Sequence, residues 1–136
     1  MSEQNKLIAR RFLAAFAAGD TATLTQVVSE NIVDHSAPPG AKLGRAGLFD
    51  AVAMFRAGFP DIQISADRIV AEGESVAVHG RMKGTNTGPM MGRPATGKPA
   101  DVGYMDMYRI ANGQIVEVWH VEDIAGMLTQ LGLTSG

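Results

Sequence analysis

The sequence predicts an α+β fold: helices gathered at the start, then a run of antiparallel strands, then a short C-terminal helix. Two observations lead there. Helical spacing of apolar residues fills the first third of the chain, and alternating, extended patterns fill most of the rest. Asn112-Gly113, between two such extended segments, is a two-residue hairpin signal and makes the late strands antiparallel neighbours.

The elements run in order along the chain. Ile8, Phe12 and Ala15 fall at i, i+4 and i+7, joined by Leu13 and Phe16, with Arg10 and Arg11 left towards water. Gly19 suits the end of that helix, and Asp20 suits the cap of a shorter one carrying Leu24, Val27 and Val28. A short strand is predicted around Ile32–Ser36, and AlaProProGly at 37–40 then turns the chain. Leu48, Val52 and Phe55 mark a third helix, ended by Pro60, since a proline pushes its predecessor out of helical geometry. Strands are expected near 62–71, 75–83, 100–110 and 114–121, and a helix near 124–131. If the sheet curves around the helices, it leaves a cone whose mouth can hold a ligand.

Size and charge narrow the function. A chain of 136 residues, 46% hydrophobic, is expected to form one domain with a substantial core. The 12 basic and 14 acidic residues are dispersed, so no basic stripe speaks for nucleic acid. The absence of cysteine excludes disulfides, thiolate zinc sites and a thiol nucleophile. No run approaches the ~18 apolar residues of a membrane span, so a cytoplasmic protein is the expectation. The segment GTNTGPMMGRPATGKP, 84–99, is long for a connection, and such loops are often functional or mobile. Its GRPATGKP nearly matches a phosphate-binding loop, but Pro99 stands where the magnesium-holding Ser/Thr belongs, and a strand pattern comes next. The three histidines show no compact ligand spacing, so no metal is assigned.

The densest chemistry lies in VEVWHVED, 116–123, and in the strand facing it across the hairpin. In an unbroken register Tyr108 faces Glu117, Asp106 faces Trp119 and Tyr104 faces Val121. Tyr104, Asp106, Tyr108, Glu117, Trp119 and Asp123 then share one face, and Met105, Met107, Val116, Val118 and His120 the other. A bulge would bring His120 inward. Burial should raise the pKa of Asp106 and favour its protonated, hydrogen-bond-donating form, which suits an oxyanion or a ligand carbonyl. Asp123 has two readings, helix cap or catalytic carboxylate. His35, at the end of the first strand, is placed for a cavity rim. His79 is expected in solvent.

These features together resemble the SnoaL-like polyketide cyclases of the nuclear-transport-factor-2-like superfamily. The likeness runs through FPDIQI, GTNTGPMMGRPATGKP, the strand ending in MYR, and NGQIVEVWHVEDIAGMLTQLG. The resemblance implies a cone-shaped, curved antiparallel sheet wrapped around three main helices, a homodimer or larger assembly, no cofactor, and an aldol-type ring closure on an aromatic polyketide ester. It also implies that the acid/base carboxylate corresponds to Asp123 or, with a small gap, to His120. Comparison with related steroid isomerases matches His35 to their base and Asp106 to their protonated donor, while Phe12 replaces their oxyanion tyrosine. The expectation is therefore a metal-free acid/base enzyme acting on an apolar, cyclic or aromatic carbonyl compound. Its catalytic groups are His35, Asp106 and Asp123; Phe12, Tyr104, Tyr108, Trp119 and His120 bind substrate. A non-catalytic binding or dimerisation module, or a related isomerase or hydratase, is the alternative.

Overall fold

The computed structural model describes residues 2–133. Helix α1 (Ser2–Ala18) and the short α2 (Thr21–Val27) lead into strand β1 (Val28–Asp34), and α3 (Gly44–Gly58) comes next. Strands β2 (Gln63–Glu72), β3 (Ser75–Thr85), β4 (Pro99–Ala111) and β5 (Gln114–Glu122) form the meander, and α4 (Ile124–Gln130) closes the chain. The sheet order is β1-β5-β4-β3-β2. Strands β2 to β5 pair antiparallel as expected, whereas β1 joins β5 in parallel and makes the sheet mixed. The first strand also begins earlier than the sequence suggested, directly from the end of α2.

One sheet face is apolar and covered by helices. Val76, Val78, Tyr104, Tyr108, Ile110, Ile115 and Val118 meet Ile8, Phe12, Leu13 and Val52 in a single buried cluster. Gly80 shapes this face, because a Cβ there would lie 1.8 Å from the Ser65 carbonyl oxygen and 2.9 Å from the Tyr104 ring. The missing side chain lets the Tyr104 ring lie across the strand and donate its hydroxyl to that carbonyl at 2.8 Å. A second apolar cluster gathers Phe59, Ile62, Met90, Val102, Met127 and Leu131, and so fastens α4 to the sheet.

The hairpin at Asn112-Gly113 has positive φ at both residues (53° and 76°), as a primed turn requires. The register beyond it shifts by one. Ile110 pairs with Ile115, but Arg109 pairs with Glu117, Tyr108 with Val118, Asp106 with His120 and Tyr104 with Glu122. The expected unbroken register is thus corrected by a β-bulge at Val116. Its physical reason is burial. An unbroken ladder would set Glu117 beside Tyr108, which is 0% exposed, whereas the bulge keeps both Ile115 and Val118 inside. It also turns Glu117 outward to Arg109. Burying an unpaired carboxylate in that core would cost several kcal/mol.

The 84–99 segment is built around one buried amide. Strand β3 extends to Thr85, and the side chain of Asn86, 1% exposed, holds the loop beyond it together. Its side-chain nitrogen donates to the carbonyls of Gly58 (3.1 Å) and Gly88 (2.9 Å), and its side-chain oxygen accepts from Thr96 N–H (2.8 Å) and hydroxyl (3.0 Å). Asn86→Ala is expected to destabilise the protein by about 2–4 kcal/mol, since several buried groups lose their partners together. Urea unfolding of the variant beside the wild type measures this.

Candidate functional site

Because of the bulge, the inward face of β4 and β5 carries Tyr104, Asp106, Tyr108, Val118, His120 and Glu122. Asp34, the last residue of β1, joins them: its carboxylate lies 3.0 Å from His120 Nε2. The other side of the same imidazole meets Glu122, with Nδ1 2.7 Å from Oε1. The Nδ1–H is not lined up with that oxygen, and among the described residues Nδ1 finds no hydrogen-bond partner. The contact with Glu122 is therefore a charge pair rather than a directed bond. The Ser36 hydroxyl accepts the His120 backbone N–H at 2.9 Å, which ties the start of the β1–α3 connection to the same spot.

The electrostatics come from this packing. The adjoining Glu122 carboxylate, opposed by partial burial and aided by Asp34, raises His120 to about 9. His120 is thus an imidazolium at neutral pH. Burial, partly countered by the Tyr108 hydroxyl and then reinforced by the charge of Glu122, raises Asp106 to about 6. Tyr108 donates its hydroxyl to Asp106 Oδ2 at 2.5 Å. Tyr108 is itself pushed well above its ordinary value by burial and by the neighbouring Asp106 charge, so it remains a donor. The Tyr108 ring stacks edge-on against Phe12, centroids 5.3 Å apart, which fixes the hydroxyl in place. The assembled group is a half-buried carboxylic acid with a value near neutrality, a fixed phenol donor and a fixed cation, arrayed along one face.

The sequence-predicted residues divide accordingly. The inward face brings together Asp106, Tyr108, Tyr104 and Phe12 as expected, and adds His120, which the unbroken register had assigned outside. Trp119 is corrected to the outer face, 39% exposed. His35 lies there too, stacked on Trp119 with centroids 4.5 Å apart and bound to Glu117 at 2.7 Å. Alternation along β1 is the cause: the residue that points inward is Asp34, one position earlier. Asp123 is exposed and caps α4, accepting the Gly126 N–H at 2.8 Å. Asp34 and Glu122 were missed by sequence reasoning. The signal for Glu122 was its spacing of two from His120, and for Asp34 the parity of a strand ending one residue before His35.

Two hollows lie away from this group. One of about 20 Å³ is lined by Phe55, Phe59, Met82, Val102 and Met127, and one of about 370 Å³ lies between the start of α1 and the Asn112-Gly113 turn. Among the described residues no helix is long and apolar enough to cross a membrane.

Residues 6–131 match the family model of the SnoaL-like polyketide cyclase. The chain belongs to the SnoaL-like polyketide cyclase family. Solved structures agree in fold. A proposed polyketide cyclase from Bacillus cereus is 30% identical, with 97% of this chain and 83% of that one covered and a TM-score of 0.86. IdmH, a proposed polyketide cyclase from Streptomyces antibioticus, is 32% identical over 95% and 99% of the two chains, with a TM-score of 0.85. TsrD from Streptomyces laurentii reaches a TM-score of 0.88 at 26% identity, covering 97% of each chain. No curated protein matches the sequence. In this SnoaL-like chain the polar group just described lies on the inner face of the sheet.

Two pH effects are expected. Between the ordinary aspartate value of 3.8 and about 6, the folded chain holds a proton on Asp106 that the unfolded chain has released. Stability therefore falls with rising pH across that window and stays lowered above it. Asp106→Asn, which keeps an acceptor for Tyr108, is expected to raise stability at pH 8 by roughly 2 kcal/mol, with the gain gone below pH ~4. Denaturant titrations at the two pH values measure it. His120 makes stability fall with rising pH in the same sense but over a higher window: its contribution is full below 6.5 and lost as pH rises through about 9. The His120 imidazole NMR signal should titrate near 9 in the wild type and lower in Glu122→Gln.

Proposed function

We propose that this SnoaL-like chain is a metal-free acid/base enzyme that removes an α-proton from an apolar, cyclic or aromatic carbonyl compound and closes a ring by intramolecular aldol addition. The observation that carries the reading is Asp106: a half-buried carboxyl held at about 6, with Tyr108 fixed on one oxygen and the His120 cation across the ladder. A group with a value near the working pH both takes and returns a proton efficiently.

In the proposed step Asp106 takes the α-proton, and the C–H bonding pair becomes the enolate. The His120 imidazolium stabilises the charge developing on the enolate oxygen. The enolate carbon attacks a second carbonyl carbon of the same molecule, forming the C–C bond. The resulting alkoxide takes the proton back from Asp106. Atoms and electrons balance without an oxidant, a reductant or a cofactor. Asp123 and His35 have no place in this step, the first because it caps α4 and the second because it points to the opposite sheet face.

A second reading, a binding module without catalysis, draws on the aromatic walls. Phe12, Tyr104 and Tyr108 are 5%, 4% and 0% exposed, and so act as core.

The test is NMR-detected exchange of α-protons with D₂O across aromatic and alicyclic ketones and keto-esters. Asp106→Asn is expected to lower exchange by about 10²-fold or more. Asp123→Asn should leave it intact while weakening the α4 cap by about 1 kcal/mol or less. Ligand binding with no exchange in the wild type would favour the binding module. Exchange that survives Asp106→Asn would remove Asp106 from the mechanism.

A further inference from the structure

His120 is the cation of the inner face, and its two ring nitrogens are held differently. Nε2 lies 3.0 Å from Asp34 Oδ2 in a directed hydrogen bond. Asp34 is fixed from the other side as well, since its Oδ1 accepts the Ser36 N–H at 2.8 Å. The Ser36 hydroxyl in turn accepts the His120 backbone N–H. Asp34, Ser36 and His120 thus form a closed ring of contacts that ties the end of β1 to β5. Nδ1 has no such bond. Glu122 Oε1 lies 2.7 Å away but off the N–H axis, and Nδ1 is closed off from water. Among the described residues this charge contact is the only ion pair or hydrogen bond of the Glu122 side chain.

The other donors of this polar group are committed. Tyr108 gives its hydroxyl to Asp106, and Tyr104 gives its own to the Ser65 carbonyl. From the helices Phe12 and Val52 bring only apolar surface. A substrate oxygen that gathers negative charge beside Asp106 therefore has one N–H left to take, that of His120 Nδ1. A buried N–H without an acceptor is unfavourable, and an oxygen arriving on its axis would relieve it. That oxygen would also lie against Glu122 Oε1, like charge beside like charge. One of the two carboxylates must give way, and they are not equally held. Asp34 is tied at both oxygens. Glu122 has no second tie, and 22% of its side chain is open to water, so it has somewhere to turn.

We propose that Glu122 is a displaceable place-holder for the substrate's developing oxyanion. Its carboxylate occupies the seat on His120 Nδ1 in the free protein and swings out to water as the substrate oxygen takes charge, while Asp34 stays and holds the ring. Glu122 is therefore a positioning residue and touches no reacting atom. The arrangement makes the seat selective. A neutral carbonyl oxygen competes weakly with a carboxylate for a cation, whereas an enolate oxygen competes on equal terms. The His120 contact is accordingly stronger in the transition state than in the ground state, which is the condition for speeding the chemical step. The inference rests on the proton-abstraction reading, in which the enolate supplies that oxygen.

The probe is dinitrophenolate, an enolate-like oxyanion, with dinitroanisole as its neutral counterpart. Measurement at pH ~6, below the ordinary histidine value, keeps His120 charged in every variant. With histidine isotope-labelled, NMR resolves the two ring N–H protons of His120. Dinitrophenolate is expected to move the Nδ1–H signal of the wild type and leave Nε2–H in place; dinitroanisole should move neither. Affinity is read from the absorbance of the phenolate, with circular dichroism as the check on folding. Glu122→Gln should bind the phenolate at least roughly tenfold more tightly, and Asp34→Asn roughly threefold at most, because each removes one charge but only the first weakens the occupant of the seat. A phenolate that binds without moving Nδ1–H, that moves Nε2–H instead, or that binds neither wild type nor variant overturns the proposal. So do equal gains in the two variants, which would reduce Glu122 to a bystander charge. The reaction reading fails separately. Displacement at Nδ1–H with no α-proton exchange on the ketone panel would remove the reaction and keep the seat, whereas exchange without displacement would remove the seat alone.

Discussion

One extra residue in β5 decides which chemistry faces inward. The bulge at Val116 lets Ile115 and Val118 both enter the core while Glu117 turns out to Arg109. Every side chain after it is exchanged between faces, because strand alternation has a period of two. His120 and Glu122 go in, and Trp119 and Val121 go out. Without that displacement the inner face would hold an unpaired glutamate and an indole, and no imidazole would stand opposite Asp106.

The polar group that results is held by mutual constraint. His120 carries positive charge because two carboxylates flank it, and Asp34 and Glu122 tolerate their partial burial because that cation lies between them. Among the described residues Asp106 has no direct ion-pair partner, and it accepts instead from a phenol locked in the core by Phe12. Its carboxyl therefore sits near neutrality while the imidazole nearby stays charged. Two titratable groups, both raised but one close to neutrality and the other well above it, can divide the work of proton transfer and charge stabilisation.

The two sheet faces are linked through the backbone they share. Asp34 and His120 point inward, while His35, just past the end of β1, and Trp119, one residue before His120 on β5, stack on each other outside. The loop anchored by Asn86 and the α4 helix capped by Asp123 complete the frame without entering this polar group.

The sequence by itself determined the element order, the meander, the hairpin turn and the family. These rest on local signals: helical spacing around Phe12, proline at 60, Asn112-Gly113, and motifs read along the chain. It also singled out Asp106, because a carboxylate between tyrosines and methionines stands out in any strand. Only the tertiary structure decided the partners of Asp106, the exclusion of Trp119 and His35 from the inner face, and the inclusion of Asp34 and Glu122. The physical reason is that a bulge leaves almost no local trace. It is set by the cost of burying Glu117 beside Tyr108, a contact between residues on different strands. The parallel pairing of β1 with β5, which brings Asp34 to His120, likewise joins segments more than eighty residues apart.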